Sequence, residues 1–122
     1  SRGPEIMMES WFKNRQVLLY QKPVDFRKQL DGLMQLTASE LEKDPTDGTV
    51  YIFRNRQKDK LKLLVWDRNG YFMGYKRLEK GRFSFPLDEE GHAQLSFNEL
   101  EMLISGMPII RMKKRTQKSS HF

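Results

Sequence analysis

The sequence predicts an α+β fold: one domain carrying a mostly antiparallel sheet of about five strands and two main helices, in the order β-α-β-β-β-β-α. Three observations support this. The chain has 122 residues, enough to bury one real core but too few for two of ordinary size. Two stretches, one early and one late, carry apolar residues at helical spacing. Between them lie short β-rich segments separated by turn formers. With 38% hydrophobic and 31% charged residues, the chain has the composition of a folded, well-solvated domain.

Residues 1–6, SRGPEI, look like a remnant of an expression vector and are set aside. The domain is expected over residues 7–110, and residues 111–122 read as a basic, flexible tail. Within the domain, Val17 to Tyr20 form an apolar run closed by Lys22 and Pro23, a first strand. The stretch DFRKQLDGLMQLTASELEK follows. Asp25 stands as a potential N-cap, and Phe26, Leu30, Leu33, Leu36 or Thr37, and Leu41 fall at helical spacing, predicting about four turns. Gly32 inside it costs about 1 kcal/mol relative to Ala, which implies close packing against another backbone. Asp44, Pro45, Asp47 and Gly48 break the helix.

Three strands are then expected, at 49–54, 60–67 and 71–78. Asn69-Gly70 suits a two-residue type I′ hairpin loop, because both positions tolerate positive φ. Flanking that loop with Arg68 and Tyr71 pairs Trp66 with Met73, Leu64 with Tyr75 and Lys62 with Arg77. Pairing Arg54 with Lys60 at the preceding turn sets Tyr51 and Phe53 beside Leu63 and Leu61. Two faces result. Tyr51, Phe53, Leu61, Leu63, Val65, Phe72 and Leu78 would cover the helix, while Arg54, Lys60, Lys62, Leu64, Trp66, Tyr75 and Arg77 would form a basic, aromatic surface. Lys76 lands on the apolar face and must reach solvent at an edge. Phe83 to Phe85 alternate with Arg82 and Ser84 in a short strand stopped by Pro86, residues 88–91 make a turn, and 93–95 add a last strand. Ser96-Phe97-Asn98-Glu99 has capping-box form and launches a helix ended by Gly106 and Pro108.

The net charge of +6 is concentrated. Residues 54–82 hold ten Lys or Arg against three Asp or Glu, whereas the flanking parts of the chain are near neutral. Such clustering points to a polyanion, most simply DNA, as partner; the alternative is a surface that only keeps the domain in solution. The expected nucleic-acid-binding residues are Arg54, Arg56, Lys60, Lys62, Arg77 and Arg82 on phosphates, with Trp66 and Tyr75 stacking on bases. Trp66 and Tyr75 would equally suit a second small core.

There is no cysteine, and His92 and His121 are the two histidines. Thiol chemistry is excluded, and neither metal nor cofactor is expected. The longest apolar runs fall far short of a membrane span, so no membrane partner is expected and the cytoplasm is the expected location. The carboxylates sit in turns or on solvated helix faces, with no spacing that singles out a catalytic group. The alternative to a non-enzyme is a small metal-dependent nuclease.

Three ordered blocks carry a family likeness: DFRKQLDGL at 25–33, GTVYIFRNRQKDKLKLLVWDRNG at 48–70 and YKRLEKGRFSFP at 75–86. In them the chain resembles the TnpB-type (Orf2) accessory proteins of the insertion sequence sixty-six family of bacterial transposons. The resemblance runs from about Val17 to Gly106 and departs from the pattern at both ends. It implies a role in transposition, assisting the transposase, and brings no catalytic residues. The partners it implies are the transposase and a second small transposon-encoded protein. Joined to the charge, it gives two hypotheses: a DNA-binding accessory factor, or a module that docks on those proteins without touching DNA.

Overall fold

The computed structural model describes residues 10–85 and 92–109. Its elements are a first helical turn α1 (residues 10–13), β1 (Val17–Pro23), α2 (Leu30–Ser39), β2 (Val50–Arg54), β3 (Lys60–Asp67), β4 (Gly70–Arg77), β5 (His92–Leu95) and α3 (Phe97–Ser105). The five strands form one sheet in the order β4-β3-β2-β1-β5. β1 and β2 are parallel, joined through α2, and every other neighbouring pair is antiparallel. The expected α+β domain with two main helices is therefore the observed one. The first and last expected segments, the 88–91 turn and Pro86 lie outside the described residues.

Period two assigns the central strands to two cores. Val17, Leu19, Val50, Ile52, Leu61, Val65, Ala93 and Leu95 point to one side, where Leu100 and Leu103 of α3 and Phe83 close over them. Leu18, Tyr20, Tyr51, Phe53 and Leu64 point to the other, under Leu33 of α2 and Leu41. A strand buried on both faces reads as a continuous apolar run, as VLLY and VYIF do. Each fully buried aliphatic or aromatic side chain contributes about 1.5–3 kcal/mol, so the β1–β2 pair anchors the domain.

The last helix is capped as its sequence predicts. The Ser96 hydroxyl accepts from the Glu99 amide at 3.1 Å, the Glu99 carboxylate accepts from the Ser96 amide at 2.8 Å, and Gly106 ends the helix at φ 82°.

Five expectations are corrected. First, α2 begins at Leu30 behind Gln29, with no side-chain cap, instead of at Asp25. The Asp25 carboxylate is taken by the amide and guanidinium of Arg27. The buried Lys62 ammonium, in turn, claims the carbonyls of Phe26 and Lys28; the Phe26 carbonyl is one a helical turn would need. Second, β2 and β3 pair one residue away from the expected register, as Tyr51 with Leu64, Phe53 with Lys62 and Arg54 with Leu61. A one-residue slip exchanges the faces of an entire strand, so Tyr51 and Phe53 join Leu64 and Lys62, and Arg54 moves to the other side.

Third, the β3–β4 loop is Arg68-Asn69, with Asp67 opposite Gly70. Arg68 takes φ 58°, and the Asn69 amide donates to the Asp67 carbonyl at 2.5 Å. Arg15 holds Asp67 in the strand by an ion pair at 3.1 Å and a bond to the Trp66 carbonyl at 3.3 Å; this tertiary anchor overrides the Asn-Gly preference. The shift is two in register sum, so no residue of β4 changes face. Fourth, 83–85 is not a strand, although Phe83 is buried. Gly32 too has a different neighbour from the one expected: a Cβ there would meet the Lys28 side chain at 3.1 Å, not another backbone. Lys76 escapes the apolar side by donating to the Ile104 carbonyl at 2.6 Å.

Candidate nucleic-acid interface

Helices close over both faces of the central strands, so the basic, aromatic face expected from the sequence does not exist as a surface. The cations are sorted instead along the strand direction. β1 and β2 finish, β3 starts and β4 finishes at the same end of the sheet. Lys22, Arg54, Arg56, Lys58, Lys60, Arg77, Lys80 and Arg82 belong to those strand ends and their connections. The opposite end receives the 40–47 segment with Glu40, Glu42, Asp44 and Asp47 beside Lys43, together with Arg68 of the β3–β4 loop and the Arg15–Asp67 pair, so that acids slightly outnumber cations there.

The turn at 55–59 organises the basic end. Asn55 is buried, and its side-chain oxygen accepts from the amides of Asp59 at 3.1 Å and Lys60 at 3.0 Å. Its amide nitrogen donates to Asp59 at 2.6 Å and Gln57 at 3.2 Å. That bond from Asn55, with the charges of Lys60 and Arg77, lowers the Asp59 pKa. Lys58 completes the turn at φ 65°, and the following chain is tied to it, Leu78 donating to the Asp59 carbonyl and Phe83 to the Lys58 carbonyl. Arg56, Gln57 and Lys58 thus project to solvent from a fixed loop.

One side of this turn forms the wall of a groove of about 780 Å³. Its lining includes Asp25, Phe26, Arg27, Asn55, Arg56, Lys60, Lys62 and Tyr75. Arg27 is exposed and paired with Asp25 at 2.6 Å, and the Arg27 hydrogen bonds hold the Asp25 carboxyl down at about 2. Tyr75 is 56% exposed. On the other side of the turn a second hollow is lined by Gln57, Asp59, Gly81 and Arg82.

Of the expected binding residues, then, Arg56, Lys60, Lys62 and Tyr75 meet in the groove, and Arg82 lies across the turn. Arg77 is exposed opposite Lys60 and paired with Glu79 at 2.9 Å. Arg54 is half-buried on the α3 side: its guanidinium donates to the Gln21 carbonyl at 2.9 and 2.5 Å and covers the Phe85 ring. Burial, then the charge of Arg56, lowers its pKa. Lys62 is 8% exposed. It donates to the Phe26 and Lys28 carbonyls at 3.0 and 2.8 Å above the Phe26 ring, and burial lowers its pKa. Both act as braces in this structure. Trp66 stands six residues along β3 from Lys60, roughly 20 Å away, and packs edge-on against Tyr71 at 5.0 Å.

Sequence reasoning missed Phe26 and Arg27, which it had wound into a helix. Asp25-x-Arg27 two residues after Pro23 was the available signal: an Asp whose side chain binds the backbone two residues on makes a turn. Among the described residues no group of three or more His, Cys, Asp or Glu is placed to hold a metal, and no helix is long and apolar enough to cross a membrane.

Residues 15–114 match the family model described as IS66 Orf2 like protein. The chain is 34% identical over 102 residues to the protein y4jC of Sinorhizobium fredii, covering 84% of this chain and 87% of that one. It is 37% identical over 67 residues to y4hO of the same organism, covering 55% of this chain and 58% of that one. No solved structure matches.

Proposed function

Since the chain belongs to the IS66 Orf2-like family, an accessory family associated with transposition, we propose that it is a non-enzymatic DNA-binding factor that assists the transposase through the basic end of its sheet. The observation that carries this reading is the groove at that end, where Arg27, Arg56, Lys60 and Tyr75 stand around one open hollow. Phosphates are held by Arg27, Arg56, Lys60, Arg77 and Arg82. A cation that replaces a condensed counterion gains free energy only where it reaches the backbone; Arg27, Arg56 and Lys60 line the groove, and Arg77 and Arg82 are exposed beside it. Tyr75 and Phe26 supply flat surfaces for a sugar or an unstacked base. Arg54 and Lys62, bonded to backbone carbonyls, serve by holding the rim in place.

Binding to terminal-repeat and random duplexes across a salt series tests the reading. With four or five phosphate contacts, log affinity falls against log salt with a slope of about −4. Changing Arg56, Lys60 and Arg82 together to Ala reduces the slope by about 2 to 3 and leaves the melting transition in place. Absence of binding at low salt refutes it. Complexes with the transposase that survive nuclease treatment in that case favour docking on protein.

A further inference from the structure

The outer side of β4 is a second surface, and we infer that it pairs with β4 of a second copy of this chain, antiparallel about Gly74, to make a continuous ten-stranded sheet. It shares Tyr75 and Arg77 with the basic end but does not rest on the DNA reading.

β4 is eight residues long and stands at the edge of the sheet. Among the described residues, nothing pairs with its outer side. Trp11 of α1 touches Phe72 edge-on at 5.4 Å and Lys76 reaches the Ile104 carbonyl of α3, yet Phe72 is 59%, Met73 40% and Tyr75 56% exposed. A long, apolar, uncovered edge is the feature that folded proteins ordinarily shorten, charge along its length or hide.

The backbone pattern fixes which groups are free. The Leu78 amide donates inward to Asp59. By the alternation of antiparallel pairs, Gly70, Phe72, Gly74 and Lys76 then also bond inward to β3, and Tyr71, Met73, Tyr75 and Arg77 turn their N–H and C=O groups outward. A two-fold axis at Gly74 is a register that uses all four. Met73 then faces Tyr75 of the second copy and Tyr71 faces Arg77, each exchanging paired hydrogen bonds. Gly74 meets its counterpart at the non-hydrogen-bonded position, where the backbones approach most closely, about 4.5 Å between Cα atoms. Among the described residues, the nearest atom to a Cβ built on Gly74 is a Leu63 side-chain carbon at 3.7 Å, so a small side chain introduced there is accommodated.

Charge selects the same register. β4 carries Lys76 and Arg77 and no acid, so a parallel pairing in register would set like charges directly opposite. About Gly74, Lys76 lies beside Phe72 of the second copy and Arg77 beside Tyr71. The two Lys76 are then offset by four residues, roughly 13 Å, beyond the screening length of about 8 Å at physiological salt.

The chain has no cysteine, so a single introduced one reports the axis. In Gly74→Cys, two Cβ atoms at a non-hydrogen-bonded pair fall within disulfide reach. Under mild oxidation this variant is expected to cross-link at least tenfold faster than Met107→Cys, whose side chain is exposed elsewhere. In sedimentation the unmodified chain is expected to have twice its monomer mass at tens of micromolar. Met73→Lys places a charge on the edge, and Met73→Pro removes an outward N–H without touching the β3 ladder. Both are expected to sediment as monomers and to keep one cooperative thermal transition, at the midpoint the unmodified chain reaches on dilution. A monomer at all concentrations, equal cross-linking of the two cysteine variants, or a dimer that both Met73 variants leave intact overturns the proposal.

Discussion

Replacing Lys62 by Met keeps the aliphatic stem and removes the ammonium. The change separates bracing from binding. In the structure the ammonium satisfies the Phe26 and Lys28 carbonyls at 3.0 and 2.8 Å and so holds the 23–29 segment against β3. A hydrogen bond to a charged group contributes about 1.5–3 kcal/mol, and an acceptor left unpaired out of water costs about 1–3 kcal/mol. Two effects offset the loss. The cost of burying the ammonium, which lowers its pKa, disappears, and water from the groove reaches the freed carbonyls. The net is about 2 kcal/mol. At a urea m-value of about 1.5 kcal/mol per molar, the midpoint falls by roughly 1.3 M with the slope unchanged. Amide exchange should accelerate in 26–30 before it does in β2. DNA binding at a temperature where the variant is folded should weaken less than in Arg56→Ala. A midpoint within 0.3 M of the original together with lost binding would refute the brace and make Lys62 a direct phosphate contact.

Three further outcomes follow from the same geometry. Ser96→Ala should cost about 1 kcal/mol in equilibrium unfolding, because the Glu99 amide loses its cap. Tyr51→Phe should cost about 1–2 kcal/mol, because the fully buried hydroxyl donates to Asp47 at 2.9 Å; burial and then that bond raise its pKa, and in the unchanged protein it should resist ionisation in an alkaline absorbance titration until unfolding. The Asp25 carboxyl should titrate by NMR at about 2, below its ordinary 3.8, and Arg27→Ala should return it toward the ordinary value. Its folded pKa being depressed, what it adds to stability is present above the ordinary value and is lost as pH falls toward about 2.

Local signals with a local cause were legible in the sequence. VLLY, the Ser96–Glu99 box and Gly106 each act through atoms a few residues apart, and each is found where expected. The order of the strands, apart from the one expected at 83–85, followed from turn residues for the same reason. Two of the misreadings have a different origin, in that a distant side chain decides them: Lys62 unwinds the start of α2, and Arg15 moves a hairpin loop. The third is local, the Asn55 side chain setting the 55–60 loop that exchanges the faces of β2. That last slip is what made the basic segment look like a basic face. The three blocks that carry the family likeness supply most of the groove, since Asp25 to Arg27, Asn55 to Gln57 and Lys60 line it, but block order alone does not say which side chains turn toward it. Arg56, Lys60, Lys62 and Tyr75 were legible as a set from composition; Phe26 and Arg27 were not, because their helical spacing masked the turn.

The separation of charge along the strand axis has a kinetic consequence. With Arg56, Lys60 and Arg82 at one end and Glu40, Glu42, Asp44 and Asp47 at the other, the domain is an electric dipole as well as a monopole. In the field of a polyanion it experiences a torque before any contact is made, and within a Debye length of about 8 Å that torque turns the 55–59 loop forward. Fewer rotational trials are wasted on each encounter, and the association rate should depend on ionic strength more steeply than a net charge of +6 spread evenly would give. The molecule would arrive end-on, with α2 and α3 to the sides and the outer edge of β4 pointing along the DNA surface.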